Sequence, residues 1–115
     1  MYDKDNVFAK ILSGQIPCKS VYSDDNVLAF YDVSPRARVH VLVITRGEFT
    51  DIFDFTQNAP ADVQVAFWRG VRNTVEKLGL RDNFRTVANT GRGAGQSVMH
   101  FHIHIMSDDR FIEEF

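Results

Sequence analysis

The chain has 115 residues, a length suited to one domain. Thirteen Lys and Arg against fifteen Asp and Glu leave a net charge of −2. That balance excludes a general polyanion binder, which needs surplus cations, and 44% hydrophobic residues exclude a disordered chain.

Met1 to Asn6 lack the basic-then-apolar pattern of a secretory signal, and no apolar run reaches the roughly 20 residues of a membrane helix. Asn6 to Ser13 place Val7, Phe8, Ile11 and Leu12 at helical spacing, with Gly14 as the C-cap. Pro17 marks a turn. The single cysteine, Cys18, cannot form an internal disulfide and fits a reducing compartment. A soluble cytoplasmic domain covering 1–115 is the expectation.

Val21-Tyr22 and Asn26 to Asp32 form two short strands joined at Ser23-Asp24-Asp25, and Val39 to Thr45 is a strand dense in β-branched residues. Phe49 to Phe55 is a short helical piece. A long helix follows from about Pro60 to Leu78, with Asn58 as N-cap and Gly79 as C-cap. Its buried stripe is Val63, Phe67, Val71, Val75 and Leu78. Phe84 to Asn89 and Met99 to Met106 are two further strands, separated by the glycine loop Thr90 to Ser97. The pattern lacks regular βαβ alternation, so the fold class is α+β with a mostly antiparallel sheet.

Three of the four histidines fall within five residues, His100-Phe101-His102-Ile103-His104. On a strand, positions i, i+2 and i+4 share one face, so three imidazoles line up about 6.5–7 Å apart while Phe101, Ile103 and Ile105 enter the core. A hydrogen-bonded face without a task is one reading. Metal binding is a second, although the chain has neither CxxC nor HExxH and only Cys18 could add a thiolate. Nucleophilic or general acid/base catalysis is the third, because imidazole has an unperturbed pKa of about 6.5. The loop before the histidines carries Gly91, Gly93 and Gly95 followed by Gln96-Ser97. Glycines let backbone amides approach an anion, but no Gly-Lys-Ser/Thr follows, so this is not a Walker loop.

The segment GAGQSVMHFHIHIM, residues 93–106, closely resembles the histidine triad signature, in which three histidines alternate with hydrophobic residues after Gly-Gln-Ser. The resemblance extends to residues 5–35, 39–44 and 85–91. It is strongest to the nucleotide-binding branch of the histidine triad (HIT) family, the purine nucleoside phosphoramidases. It implies a HIT-like α+β fold: a mostly antiparallel five-stranded sheet with one long helix and one or two short ones. The implied activity is cleavage of the P–N bond of adenosine or other purine nucleoside 5′-phosphoramidates.

By the same resemblance, His102 is the nucleophile that forms a nucleotidyl-histidine. His104 contacts the phosphate oxygens, and the His100 carbonyl orients the nucleophilic ring. His40 joins the histidine network, and Ser97 stands near the phosphate and leaving group. Asp32 accepts from the ribose hydroxyls, as an acceptor-only carboxylate can; without the family it reads equally well as a turn residue at a strand end. Asn89, Gln96 and Tyr31 belong to the implied nucleotide-binding set, with the backbone of Gly95 and Val98 at the phosphate. Phe8, Ile11, Ile16, Phe30 and Val33 match the apolar base pocket. No metal or cofactor is implied. The partners are a purine nucleotide, such as AMP or its phosphoramidate, and a second copy of the chain in a homodimer. Neither nucleic acid nor membrane is expected.

The chain departs from the family pattern after Ile44, where Ile44-Thr45-Arg46-Gly47-Glu48 stands in place of Ile-Pro-Lys-Lys-His, and again at Tyr31. The triad is followed by Ser107-Asp108-Asp109-Arg110, and a short tail runs to Phe115. These departures bear on leaving-group selectivity more than on chemistry. Two alternatives remain: hydrolysis of dinucleoside polyphosphates, as in the fragile histidine triad branch, and a non-catalytic AMP-binding sensor or scaffold.

Overall fold

The protein is described by a computed structural model covering residues 1–113. Glu114 and Phe115, the end of the expected 1–115 domain, lie outside the described residues. The chain opens with helix α1 (Val7–Leu12), whose first turn is capped by Asn6 Oδ1 accepting from the Ala9 amide. Ser13 closes it, with Gly14 just beyond at φ 82°. Strands β1 (Ser20–Ser23) and β2 (Val27–Tyr31) form the expected hairpin. Its turn is closed by Asp24 Oδ1, which accepts from the amides of Asn26 and Val27.

Strand β3 (Val39–Thr45) follows, then helices α2 (Ile52–Asn58) and α3 (Ala61–Leu78), strand β4 (Arg85–Val87) and strand β5 (His102–Ser107). The five strands form one sheet in the order β1-β2-β3-β5-β4, and every neighbouring pair is antiparallel. This is the α+β, five-stranded architecture expected from the sequence.

Several boundaries move for physical reasons. The short helix begins at Ile52 because Asp51 caps it, its carboxylate accepting from the Asp54 amide; Phe49 remains in the preceding loop. Asn58 is not the N-cap of the long helix. It is the last residue of α2, where its amide donates to Asp54 Oδ1, and α3 starts behind Pro60 without a side-chain cap. Gly79 ends α3 at φ 72°, as its position implies. The strand expected over 84–89 shrinks to three residues. The strand expected over 99–106 begins only at His102, because the chain bends through Val98 to His100.

The sheet has two unlike faces. One packs against α2 and α3 through Val27, Ala29, Val41, Val43, Ile103 and Ile105. Phe67, Val71 and Val75 of α3 are buried against it, with Val63 and Leu78 half-buried at the margin. Phe101 stacks on Phe55 at 4.9 Å and lies 5.0 Å from Phe67, so an aromatic cluster anchors the residue just before β5. The other face carries a smaller cluster, Phe8, Phe30, Leu42 and Ile44, roofed in part by α1. No described helix is long and apolar enough to cross a membrane.

Gly70 sets how closely α3 approaches the sheet. A Cβ there would stand 2.6 Å from Val27 Cγ2, inside van der Waals contact. Overpacking of that kind costs about 1–3 kcal/mol, whereas Gly to Ala in a helix gains at most about 1 kcal/mol. Gly70→Ala is therefore expected to destabilise the protein, read as a lower urea midpoint at unchanged m-value. A raised midpoint would show that α3 can lift without cost.

Candidate active site

Alternation along β3 sends Val41 and Val43 to the helices and His40, Leu42 and Ile44 to the opposite face. Antiparallel pairing then sets His104 across from Leu42 and His102 across from Ile44. Two strands thus deliver three imidazoles to one face. The His102 and His104 ring centroids are 5.1 Å apart, and those of His40 and His104 5.2 Å.

They border a cavity of about 1060 Å³. Twelve of the residues singled out in the sequence line it. Phe8, Ile11, Ile16, Phe30 and Val33 form apolar wall, with Tyr31 beside them, and Asp32, His40, Ser97, Val98, His102 and His104 gather at the polar end. The remaining four stand elsewhere. His100 precedes the strand, so it does not share the face of the other two; its ring is fully buried behind them. Gln96 is buried as a tether, its Oε1 accepting from the Gly91 amide and its Nε2 donating to the carbonyls of Thr50 and Val98. Asn89 and Gly95 pack on one another outside the cavity wall, with a Gly95 Cβ position 3.2 Å from Asn89 Nδ2.

Hydrogen bonding assigns the tautomers. The Arg36 backbone N–H donates to His40 Nδ1 at 3.0 Å, so the His40 proton sits on Nε2. From there it is donated to His104 Nδ1 at 2.9 Å, with Asp32 Oδ2 farther off at 3.5 Å. His104 therefore carries its own proton on Nε2. His102 donates from Nδ1 to the His100 carbonyl at 2.6 Å, which leaves the lone pair on Nε2. Phe8 packs edge-on against the His102 ring at 4.9 Å. A neutral imidazole with a free Nε2 lone pair beside an N–H donor is a nucleophile paired with an oxyanion contact.

Burial keeps these rings uncharged. It lowers the pKa of His102 below the ordinary histidine value and takes His100 to about 4. Burial, then the neighbouring His102 and His40, takes His104 to about 4. His40 is lowered too, since desolvation outweighs the attraction of Asp32. Asp32 has two duties: Oδ1 accepts from the Ser34 amide to close the turn after β2, while the residue also lines the cavity.

Asp32, His40 and His104 bring three potential metal-ligand atoms within 4.8 Å of one another. The His104 Nδ1 lone pair, however, faces the His40 proton, so a hydrogen bond already uses the two nitrogens.

Leu42, Lys19 and Arg38 also border the cavity and were not singled out in the sequence, and Cys18, named there only as a potential thiolate ligand, borders it too. Leu42 could have been found, since it alternates between His40 and Ile44. Lys19, Cys18 and Arg38 come from loops that carry no such periodicity.

The HIT domain family matches residues 13–111. The chain belongs to the HIT family. It is 37% identical to a HIT-like protein of Rickettsia prowazekii over 113 residues, covering 97% of this chain and 94% of that one. Among solved structures it resembles a HIT family hydrolase from Clostridium thermocellum, with TM-score 0.88, 27% identity and 98% coverage of both chains. It also resembles a histidine triad protein from Clostridium difficile, with TM-score 0.86, 31% identity and full coverage of both. This HIT protein thus shares sequence and fold with proteins of hydrolase type.

The buried neutral histidines make the stability of this HIT protein pH-dependent. An unfolded imidazole titrates near 6.5, above the folded values, so the unfolded chain takes up more protons as pH falls. Stability is fully present above about pH 6.5 and is lost downward toward about 4, at up to about 1.4 kcal/mol per pH unit for each such group. Melting temperature is expected to fall steadily from pH 6.5 to 5, a window above most carboxylate titration. A flat profile there would mean the imidazoles charge freely in the folded state.

Proposed function

We propose that this HIT protein hydrolyses purine nucleoside 5′-phosphoramidates through a nucleotidyl-histidine. The observation that carries the reading is the His102 Nδ1–H bond to the His100 carbonyl, with the ring bordering the cavity. The apolar wall of Phe8, Ile11, Ile16, Phe30 and Val33 suits a purine, and Asp32 suits the ribose hydroxyls. The Nε2 lone pair of His102 attacks the α-phosphorus, forming a P–N(His102) bond as the bond to the amine breaks.

The amine leaves with a proton relayed from solvent by the Ser97 hydroxyl, which takes up one proton as it gives one and stays neutral. His104 Nε2–H donates to a phosphoryl oxygen as charge builds. The intermediate imidazolium keeps its Nδ1–H on the His100 carbonyl, which favours the cationic ring. Water then attacks phosphorus, its proton passes to solvent through Ser97, and His102 departs neutral with AMP released. No step uses a metal.

A second reading, dinucleoside polyphosphate hydrolysis, shares the nucleophile and replaces the amine by a nucleoside phosphate. Lys19 at the cavity rim favours an anionic leaving group, whereas the Arg38 guanidinium there is paired with Asp109. Relative kcat/KM on an alkyl phosphoramidate of AMP and on a diadenosine polyphosphate separates the two.

A homodimer is proposed as the assembled form. Trp68 and Phe84, each 42% exposed, flank a hollow of about 380 Å³ between α3 and the start of β4, and β4 is an edge strand. A 13 kDa species alone in sedimentation at low micromolar concentration would contradict it.

The mechanism is tested by mass spectrometry of protein quenched during turnover of an adenosine phosphoramidate. Wild type is expected to carry an AMP-sized adduct; His102→Ala is expected to carry none and to lose activity by several orders of magnitude while still binding AMP. Normal turnover by that variant would remove His102 as nucleophile. AMP binding without turnover by wild type would leave a nucleotide sensor. Activity is expected to survive exhaustive chelation; loss with EDTA and recovery with a divalent ion would instead assign Asp32, His40 and His104 to a metal.

A further inference from the structure

The His100 carbonyl sets the tautomer of His102, so whatever holds His100 in place acts on the nucleophile. His100 is completely buried, and both its ring nitrogens are used. Its Nε2–H donates to the Thr45 carbonyl at 2.7 Å, with Thr45 Oγ1 a longer contact at 3.2 Å. That fixes Nδ1 as an acceptor, and the group that fills it is the hydroxyl of Tyr2, 98 residues away in sequence. The two rings also meet edge to face, with centroids 5.6 Å apart. Burial raises the Tyr2 phenol pKa, so the hydroxyl keeps the proton it donates.

Tyr2 lies outside residues 13–111, the part of the chain that the HIT family matches. Its neighbours strengthen the link. Asn6, whose side chain caps α1, also interacts with the Tyr2 hydroxyl, and Phe8 of α1 packs against both His100 and His102. The segment before the matched region therefore braces the nucleophile from two sides, Phe8 from the cavity wall and Tyr2 through His100 from outside the cavity lining.

We propose that Tyr2 is a positioning residue for the nucleophile: its hydroxyl holds His100 in the Nε2–H tautomer and in one orientation, and so holds the carbonyl on which His102 Nδ1–H rests. This rests on the reading of His102 as nucleophile. The chain of donors runs from Tyr2 O–H to His100 Nδ1, and from His102 Nδ1–H to His100 O, while His100 Nε2–H is spent on Thr45. Loss of the first bond leaves a buried lone pair unsatisfied, which the His100 ring or backbone must move to relieve. The His102 lone pair then loses its fixed aim.

Tyr2→Phe tests this, because it keeps the ring and its edge contact and removes only the hydroxyl. The expected result is a kcat lower by about 3- to 10-fold, the size of one hydrogen bond, with KM for an adenosine phosphoramidate within about twofold. Long-range ¹H–¹⁵N spectra of the histidine rings at pH 7 supply a readout that needs no turnover. Wild type is expected to show His100 protonated on Nε2 and His102 on Nδ1. In Tyr2→Phe the His100 Nδ1 resonance should move toward that of an unbonded nitrogen, and His102 should show mixed tautomers. Unchanged kcat overturns the proposal, as does a loss of activity with the His102 tautomer intact or with KM rising in step. Were wild type itself inactive on every phosphoramidate, the nucleophile reading would fail, while the spectra would still decide whether Tyr2 sets the His102 tautomer.

Discussion

The antiparallel ladder between β3 and β5 is the constraint on which both the core and the site depend. Of these two strands β3 is the centre of the described sheet and β5 lies beside it, and most residues of both are buried. Every second residue goes to the helix side, where Val41, Val43, Ile103 and Ile105 join the aromatic cluster. The intervening residues cannot avoid the other face, and there the chain has His40, Leu42, Ile44, His102 and His104. A slip of one residue in register would bury imidazoles against Phe55 and Phe67 and turn Ile103 and Ile105 to the other face. The site geometry is thus enforced by hydrophobic burial on the opposite side of the same sheet.

That arrangement has an electrostatic cost, since four histidines sit in or near the interior. Burial removes water from each ring, and three of them lie close enough for one cation to repel the next. The structure resolves this by keeping the rings neutral and bonding them to one another and to the backbone. Among the described residues no buried side-chain nitrogen or oxygen lacks a hydrogen-bond partner. Neutrality is also what a nitrogen nucleophile requires, so the condition that makes the core tolerable prepares the chemistry.

The fold was largely legible because strong periodicity and punctuation agree with tertiary packing. The stripe on α3, the β-branched run of β3, Gly79 as stop and the Asp24 turn each express a local rule that the packed structure repeats. The histidine cluster was equally plain, and so was its partition from Phe101, Ile103 and Ile105. What misled was extending strand alternation back through His100. The bend over Val98 to His100 is imposed by distant partners: Phe101 N–H donates to the Phe49 carbonyl at 2.7 Å, and His100 is held by Thr45 and Tyr2. No local window contains those partners. The tethering bonds of Gln96 were hidden for the same reason, because the carbonyl of Thr50 lies 46 positions away. Asn58 failed as a helix cap because Asp54, one turn earlier, claims its side chain.

The tautomers show how far the backbone governs this chemistry. His40 is fixed by the Arg36 amide, His102 by the His100 carbonyl and His100 by the Thr45 carbonyl, none of which a side-chain substitution can delete. Sequence change can reach them only by moving the backbone or by altering the side chains that touch the rings. Tyr2, Phe8 and Asp32 are such side chains, and each approaches from a different direction: the N-terminal segment, α1 and the turn after β2. Asp32 touches His40 from the cavity side, so changing it alters the ligand surface and the proton network together. Tyr2 touches His100 from behind, so it can act on the nucleophile while leaving the cavity wall as it is. A HIT chain that varies outside its matched region therefore has a route to tuning turnover separately from ligand recognition.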